Sequence, residues 1–482
     1  MLTARRVITG RTYEARRENY QHLHKAATLV DLQAHPSLKA SWFPHNLNEA
    51  HYKPNLLQRM LRINPLAFDP LTVRTSFPKL IDGQVNVQVS TAYALERDAV
   101  KKDLLTEVKV LGIPISMSFY TIVRTLRWLP YLKRAWENAL APSYFDSVWN
   151  ALNIIEKQVA QYVKSDPSAP GLGFAKTPAQ LRTMLARNDI ALVHALEGAH
   201  SLEGEKTWAI QQKVRDPRER SAGDNDIVRK DVMGNLQTLY ERGVAIMGLA
   251  HYYPNEVTES VFSYPERALE KITYERWQMM WPDHTRGLTE LGKDVVDWMI
   301  GEGMIIDLSH VSPTARMEIY NIVDERHAGK PGAVLASHIG LQAMYNHPYN
   351  LADWEIRWLS DHGGVVGVMF SNYWHTGREG VKLGLGYLTD AIDHLIAIGG
   401  EGVVAFGSDF DGFSDPPDEI ADASQWMKLT RHLFSQYKMT EGEEDPSGAV
   451  EREITRKYSD DAIRQFLGGN ALQTILAGWG SS

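Results

Sequence analysis

The sequence contains no cysteine. A disulfide framework, a thiolate metal site and a cysteine nucleophile are therefore excluded, and any metal must be held by His, carboxylate or amide groups. Runs of like charge are also missing. With 51 basic and 59 acidic side chains the formal charge is −8, spread without Lys/Arg blocks. That pattern gives no electrostatic footprint for nucleic acid or for an anionic membrane surface. No uninterrupted apolar stretch reaches the ~20 residues of a membrane span. The longest candidate, Val110 to Trp136, is broken by Pro114, Arg124, Arg127 and Pro130 and reads as a helical segment packed on the main domain. The first 32 residues have no apolar h-region ahead of a small-residue cleavage site. The expectation is a cytoplasmic protein whose partner is a small molecule.

What is present is enough apolar material for a deep core, at 44% of 482 residues, in a length that suits one large α/β barrel with insertions. Eight short apolar runs recur, at residues 28–33, 85–90, 190–197, 244–251, 304–310, 333–338, 365–370 and 403–409. Between them lie segments with helical periodicity, such as 289–303, closed by Gly303, and 388–400, closed by Gly399 and Gly400. Strand and helix alternate, which implies a parallel sheet, and eight runs is the count of a (β/α)8 TIM-type barrel. Residues 91–189 are too long for one crossover helix and are expected to form a helical insertion after strand 2. Residues 410–482 are expected to form a C-terminal helical tail, the whole of 1–482 being one domain.

Six of the eight runs end in His, Asp, Glu or Gln, and in such a barrel those ends converge on the active-site mouth. Gln33 and His35 close the first run, Glu197 the third, His251 the fourth, His310 the fifth, His338 the sixth and Asp409 the eighth. A zinc-type centre needs three or four N/O ligands and an open position for water; Glu197, His310 and His338 supply one carboxylate and two imidazoles. Gln33 and His35, two apart, share a side of their strand and are candidates for a second metal or for orienting water. Asp409 is placed as general acid/base, with a turn-capping role before Gly412 as the alternative, a role that Asp411 fits better. A single strand-end His is more often an ordinary hydrogen-bonded residue, so the joint placement carries the inference. His194 has the wrong parity relative to Glu197, and His200 lies beyond the strand; both read as structural.

The segments VDLQAH, HALEGAH, GLAHYYPNEV, GLTELGKDVVDWMIGEGMIIDLSHVS, VLASHIG, NHPYNLAD, FGSDFDG and FLGGNAL resemble, in order, the signature segments of the renal (membrane) dipeptidase family of the amidohydrolase superfamily. The likeness covers about residues 28–475. It is strongest at GMIIDLSHVS, ASH and GSDFDG, weak at 91–189, and absent before residue 20. It implies that Glu197 is a bridging carboxylate, that His310 and His338 hold the second metal, that His251 polarises the scissile carbonyl, and that Asp409 is the catalytic aspartate. Two departures stand out. Where the family has His-x-Asp on the first strand, this chain has Gln33-Ala34-His35, and an amide is a poor zinc ligand, so the first metal should be weak, altered or missing. Where the family has His-x-Arg-Asn, this chain has His347-Pro348-Tyr349-Asn350, trading a bidentate carboxylate clamp for one neutral hydroxyl.

The resemblance therefore implies a zinc hydrolase, with one or two ions, acting on an amide or peptide-like bond. His251, Tyr349 and Tyr252 are then the substrate-binding candidates, and Tyr253 and Trp374 are either further aromatic walls or plain loop packing. Three alternatives stay open: a single-metal hydrolase or deaminase of a non-peptide substrate such as an N-acyl amide or lactone, an inactive binding homologue, and a membrane-associated partner protein working through residues 110–136. Fold analogy suggests a homodimer.

Overall fold

Each of the eight apolar runs becomes a fully buried strand, as expected where helices cover both ends of a crossover and leave no solvent face. The computed structural model describes residues 19–42, 45–49, 73–96, 107–110, 113–116, 141–164, 167–261, 273, 287–377, 384–412, 416–417, 419–434, 436–444, 450–455 and 458–480. The strands are β1 (Val30–Ala34), β2 (Val87–Ala92), β3 (Ile190–Glu197), β4 (Val244–Gly248), β5 (Ile305–Asp307), β6 (Val334–Ile339), β7 (Val366–Met369) and β8 (Val404–Gly407). They pair in chain order, every pair parallel. The ring closes just past the strand ends, where Ala34 bridges Phe410 and the amides of His35 and Asp409 donate to the carbonyls of Phe410 and Gln33 at 2.8 and 2.9 Å. The (β/α)8 architecture is thus as expected, and closure occurs at the mouth itself.

The helices follow their punctuation. Glu290–Glu302 starts at Thr289, whose hydroxyl accepts from the Gly292 amide, and stops at Gly303 with φ 78°, a conformation glycine adopts without penalty. Pro313–Arg326 is capped by Ser312 in the same way. Within β3, alternation sends Ala191, Val193 and Ala195 into one apolar cluster and Ile190, Leu192 and Leu196 into another. Glu197 shares the parity of the first set and His194 that of the second. The first cluster also contains Ala471, Ile475 and Trp479, so the C-terminal helix Asn470–Gly478 is packed into the barrel.

Two expectations need correction. The insertion is not wholly helical: beside the helices Tyr144–Ala160 and Pro178–Ala186 it holds an antiparallel pair, Glu107–Val110 with Ile113–Ser116, and a strand, Leu172–Ala175, parallel to the start of β3. The alternating valines of EVKV and the β-branched residues of IPIS favour extended backbone. The remainder of the 110–136 segment lies outside the described residues. The tail likewise contains a hairpin, Gln436–Glu444 with Val450–Thr455, between its helices. No described helix is long and apolar enough to cross a membrane.

Close approach of three strands sets a steric limit near the mouth. A Cβ added at Gly367 on β7 or at Gly407 on β8 would run into the same carbonyl oxygen, that of Ser337 on β6. Backbone cannot swing aside as a side chain can. Gly407→Ala should therefore destabilise the fold by ~1–3 kcal/mol in denaturant titrations, while Gly402→Ala, which meets nothing within 4 Å, should be close to neutral.

Candidate active site

Glu197 ends β3 and is buried, at 6% exposure. Its two carboxylate oxygens are shared among four imidazoles. Oε1 lies 3.3 Å from His310 Nε2 and 3.3 Å from His338 Nε2, while Oε2 lies 3.4 Å from His35 Nε2 and 3.8 Å from His251 Nε2. His338 Nε2 and His310 Nε2 are themselves 3.3 Å apart. Glu197 Oε1 and the two Nε2 atoms thus form a near-equilateral triangle. A tetrahedral ion with bonds of ~2.0–2.1 Å separates its ligand atoms by ~3.3 Å, so the triangle matches one face of such a coordination shell. Among the described residues, this is the group of His, Asp and Glu whose ligand atoms converge closely enough to hold a metal.

The tautomers follow from the hydrogen bonds. Ser337 Oγ donates to Asp307 Oδ2 at 2.5 Å, and a hydroxyl has one proton to give. Its 2.7 Å contact with His338 Nδ1 is then one in which the imidazole donates, leaving Nε2 as the lone-pair atom when the ring is neutral. Asp307 Oδ1 also accepts from the amides of Ser337 and Ser309 and from Ser309 Oγ, tying β5 to β6. The same device recurs where β8 meets β1. Asp31 accepts from the amide and hydroxyl of Ser408 at 2.8 and 2.6 Å, immediately before Asp409, and burial pushes its carboxyl up to about 7.

Electrostatics divides the imidazoles. Burial drives His310 down to about 4, which keeps it neutral at pH 7. Burial also works against a charge on His338, but its hydrogen bond to Glu197 and the field of Asp409 outweigh that and raise it to about 9. Burial likewise opposes ionisation of Glu197, yet the facing His251 and His35 hold it well below the usual carboxylate range. His251 is raised because Glu96 and Glu197, one on each side, outweigh its burial.

The seven strand-end residues singled out in the sequence meet here. Gln33 Nε2 is 3.0 Å from His35 Nε2 and 3.4 Å from Glu197 Oε1, while Gln33 Oε1 accepts from the Thr91 hydroxyl at 2.7 Å. Asp409 Oδ1 is 3.3 Å from His35 Nε2. Tyr252 stacks at a tilt on His251 (4.0 Å between centroids) and sets its edge to His310 (5.3 Å). Tyr349 is buried, its ring flat against Trp374 at 3.9 Å and its hydroxyl donating to the His338 carbonyl at 3.0 Å. His194 points away, bonded to Glu156 and stacked on Phe174, and His200 Nε2 donates to the Ala94 carbonyl at 2.7 Å, so both have structural partners. Asp411 differs from its expected local turn role: its carboxylate takes the amides of Arg74 and Thr75 and the Thr75 hydroxyl, fastening a distant segment to the mouth.

Backbone strain is concentrated at this rim. His310, Asp409 and Asp411 have φ of 65°, 52° and 68°, left-handed values that cost of order 1–3 kcal/mol in residues other than glycine. Several participants escape sequence reading. Asp307, Ser309 and Ser337 sit inside quoted motifs with no assigned part, and Glu96, 2.8 Å from His251 Nδ1, lies beyond the point where the second apolar run stops.

A parallel (β/α)8 barrel with three converging donors that could hold a metal ion at its C-terminal mouth is the class that fold and site define. A family model described as membrane dipeptidase (peptidase family M19) matches residues 225–445, a span that contains His251, His310, His338 and Asp409. An uncharacterized protein from the pqqA 5′ region of Klebsiella pneumoniae is 29% identical over 291 residues, covering 60% of this chain and 87% of that protein. The dipeptidase aclJ of Aspergillus oryzae is 27% identical over 199 residues, 41% of this chain and 42% of its own. The chain spans somewhat under half the length of the curated dipeptidases it matches. Among solved structures, the probable dipeptidase PvdM from Pseudomonas aeruginosa is similar with a TM-score of 0.59 at 16% identity, covering 97% of this chain and 100% of that one. A Rhodobacter sphaeroides metallopeptidase liganded with a phosphinate mimic of L-Ala-D-Ala gives a TM-score of 0.56 at 16% identity, covering 94% and 99%. Over residues 225–445 the chain is similar to the membrane dipeptidase family, and as a whole it shares the fold of these solved structures.

The Asp307–Ser337–His338 chain of bonds makes a specific demand. Removing the Ser337 hydroxyl by Ser337→Ala should weaken metal binding ~10–100-fold in competition with a chromophoric chelator. The circular dichroism spectrum should be unchanged, since the amide of residue 337 still donates to Asp307.

Proposed function

We propose that the chain is a metal-dependent, dipeptidase-like hydrolase of an amide or peptide-like bond, with one zinc ion held by Glu197, His310 and His338. The observation that carries this reading is the 3.3 Å triangle of donor atoms at the mouth of the barrel. Two imidazoles and a carboxylate suit zinc, and an ion so bound would supply Lewis acidity and lower the pKa of water toward ~7. Asp409, held at the rim beside His35, takes the proton as water adds to the carbonyl and passes it to the departing amine. His251 offers Nε2–H to the oxygen on which negative charge develops, a role worth ~2.7–4 kcal/mol in comparable sites.

One ion rather than two follows from the first strand. Gln33 commits its carbonyl oxygen to Thr91 and turns its NH2 toward His35 and Glu197, so it presents hydrogens where a second metal requires lone pairs. A homodimer, supported by fold analogy alone, and a cytoplasmic site of action belong to the same proposal.

A second reading concerns the substrate and is favoured by Tyr349. At the position where the resemblance implies an arginine for a terminal carboxylate there is a neutral hydroxyl already bonded to a backbone carbonyl. That arrangement favours substrates without a free carboxylate at that end, such as N-acyl amides or lactones.

Metal content decides the first point: elemental mass spectrometry should give about one zinc per chain, and near zero in a His310→Ala, His338→Ala double variant. Two ions per chain would overturn the account of Gln33, and none after zinc is offered would favour a binding homologue. A panel of dipeptides, N-acyl amino acids, amides and lactones tests the second. Asp409→Asn should lower kcat on any hydrolysed member by ~10²–10⁴-fold with metal retained, and near-normal turnover would remove Asp409 from the mechanism.

A further inference from the structure

His251 stands on the loop that leaves β4, where nothing in the strand ladder fixes the direction of its ring. What fixes it comes from the other side of the mouth. Glu96, four residues beyond the end of β2 and 2% exposed, directs both carboxylate oxygens at that loop. Oε1 accepts from the Tyr253 amide at 2.8 Å, and Oε2 accepts from His251 Nδ1 at 2.8 Å and from the Tyr252 amide at 3.4 Å. The Tyr93 hydroxyl donates to Oε2 at 3.1 Å, and its ring lies against the imidazole, 4.6 Å between centroids. Among the described residues, the ion-pair partner of Glu96 is His251 alone.

An ionised carboxylate accepts and does not donate, so Nδ1 of His251 must carry a proton; Nε2 is presented toward Glu197, 3.8 Å away, and donates as well only in the imidazolium form, which the carboxylates on either side favour. The three donors from residues 251–253 all belong to one turn of chain. Glu96 therefore sets the ring's direction and favours the form protonated on both nitrogens. We propose that Glu96 is the positioning residue for His251, fixing the imidazole so that Nε2 faces the carbonyl oxygen of a substrate bound at the Glu197, His310, His338 cluster. This rests on the hydrolase reading given above and adds to it a residue that neither the strand-end pattern nor the family model's span contains.

Glutamine has the shape of glutamate but only one acceptor oxygen, so Glu96→Gln cannot serve both the Tyr253 amide and His251 Nδ1. Glu96→Asp keeps two acceptors on a shorter arm. On a substrate that the wild type hydrolyses, Glu96→Gln should lower kcat ~10–100-fold with KM within about threefold and metal content unchanged, and Glu96→Asp should recover part of the loss. In a His251→Asn background the same Glu96→Gln change should have little further effect on kcat, because the two residues act as a unit. Additive losses, or wild-type kcat in Glu96→Gln, would overturn the assignment and leave Glu96 as loop packing. A readout that needs no turnover separates this from the hydrolase reading. With ¹⁵N-histidine labelling, and His251→Asn to assign the signal, the wild type should show a protonated Nδ1 at His251 that is altered in Glu96→Gln. An unprotonated Nδ1 in an active wild type sinks the role of Glu96 alone; a protonated Nδ1 in a protein that hydrolyses nothing on the panel sinks the hydrolase reading and leaves the pairing intact.

Discussion

Glu197 is the constraint around which the mouth is built. A carboxylate removed from water is tolerated only if its charge is matched and its lone pairs are used, because the desolvation cost is several kcal/mol even after relaxation. Here both oxygens are matched, by His310 and His338 on one side and by His35 and His251 on the other. Those four rings come from four different strand ends, so the satisfaction of one buried charge requires that β1, β4, β5 and β6 all end at the same height. The barrel supplies that registration, and a cation among the same atoms adds the positive charge that the neutral His310 does not.

The rim shows how such placement is enforced. Two aspartates inside the ring, Asp31 and Asp307, each accept the amide and hydroxyl of a serine on an adjoining strand, Ser408 and Ser337. The residue after each serine is one that faces the mouth cluster, Asp409 beside His35 in the first case and His338 beside Glu197 in the second. The clamps use short, charge-assisted bonds in a region of low dielectric, where they are worth more than at the surface. They are strong enough to hold neighbouring backbone in left-handed conformations at His310 and Asp409, and the glycines at 367 and 407 let the clamped Ser337 strand approach its neighbours.

This division explains what could be read from the sequence. Barrel strands and the polar ends that meet at the mouth were legible because both are local patterns: a run of β-branched residues, an alternation of period two, and a titratable residue at its end. His194 and Glu197 separate on parity alone, and the structure sends them to opposite faces. Glu96 was not legible, since its meaning lies in a bond to a histidine 155 positions away. Nor was the second part of Asp411, whose partners are more than 330 residues distant. The strands within the insertion and the tail were missed for another reason: they are short, belong to no alternation with helices, and pair outside the eight-strand order.

The departure at Gln33 is best understood through charge. A second cation between Glu197 and His35 would balance Asp409 as well as Glu197, and an ordinary ligand there would be an anion or an imidazole. Gln33 replaces that arrangement with a neutral amide whose hydrogens face Glu197 Oε1 and His35 Nε2. The negative charge at the mouth is met on this side by hydrogen bonding from Gln33 and by His251. That places more of the electrostatic burden on the histidine, which must be held in one orientation to bear it. Glu96 meets this requirement with a buried carboxylate that has no other ion-pair partner among the described residues, at the cost of a further negative charge in the site. The neutral amide on β1 and the clamp after β2 are therefore two parts of one electrostatic arrangement.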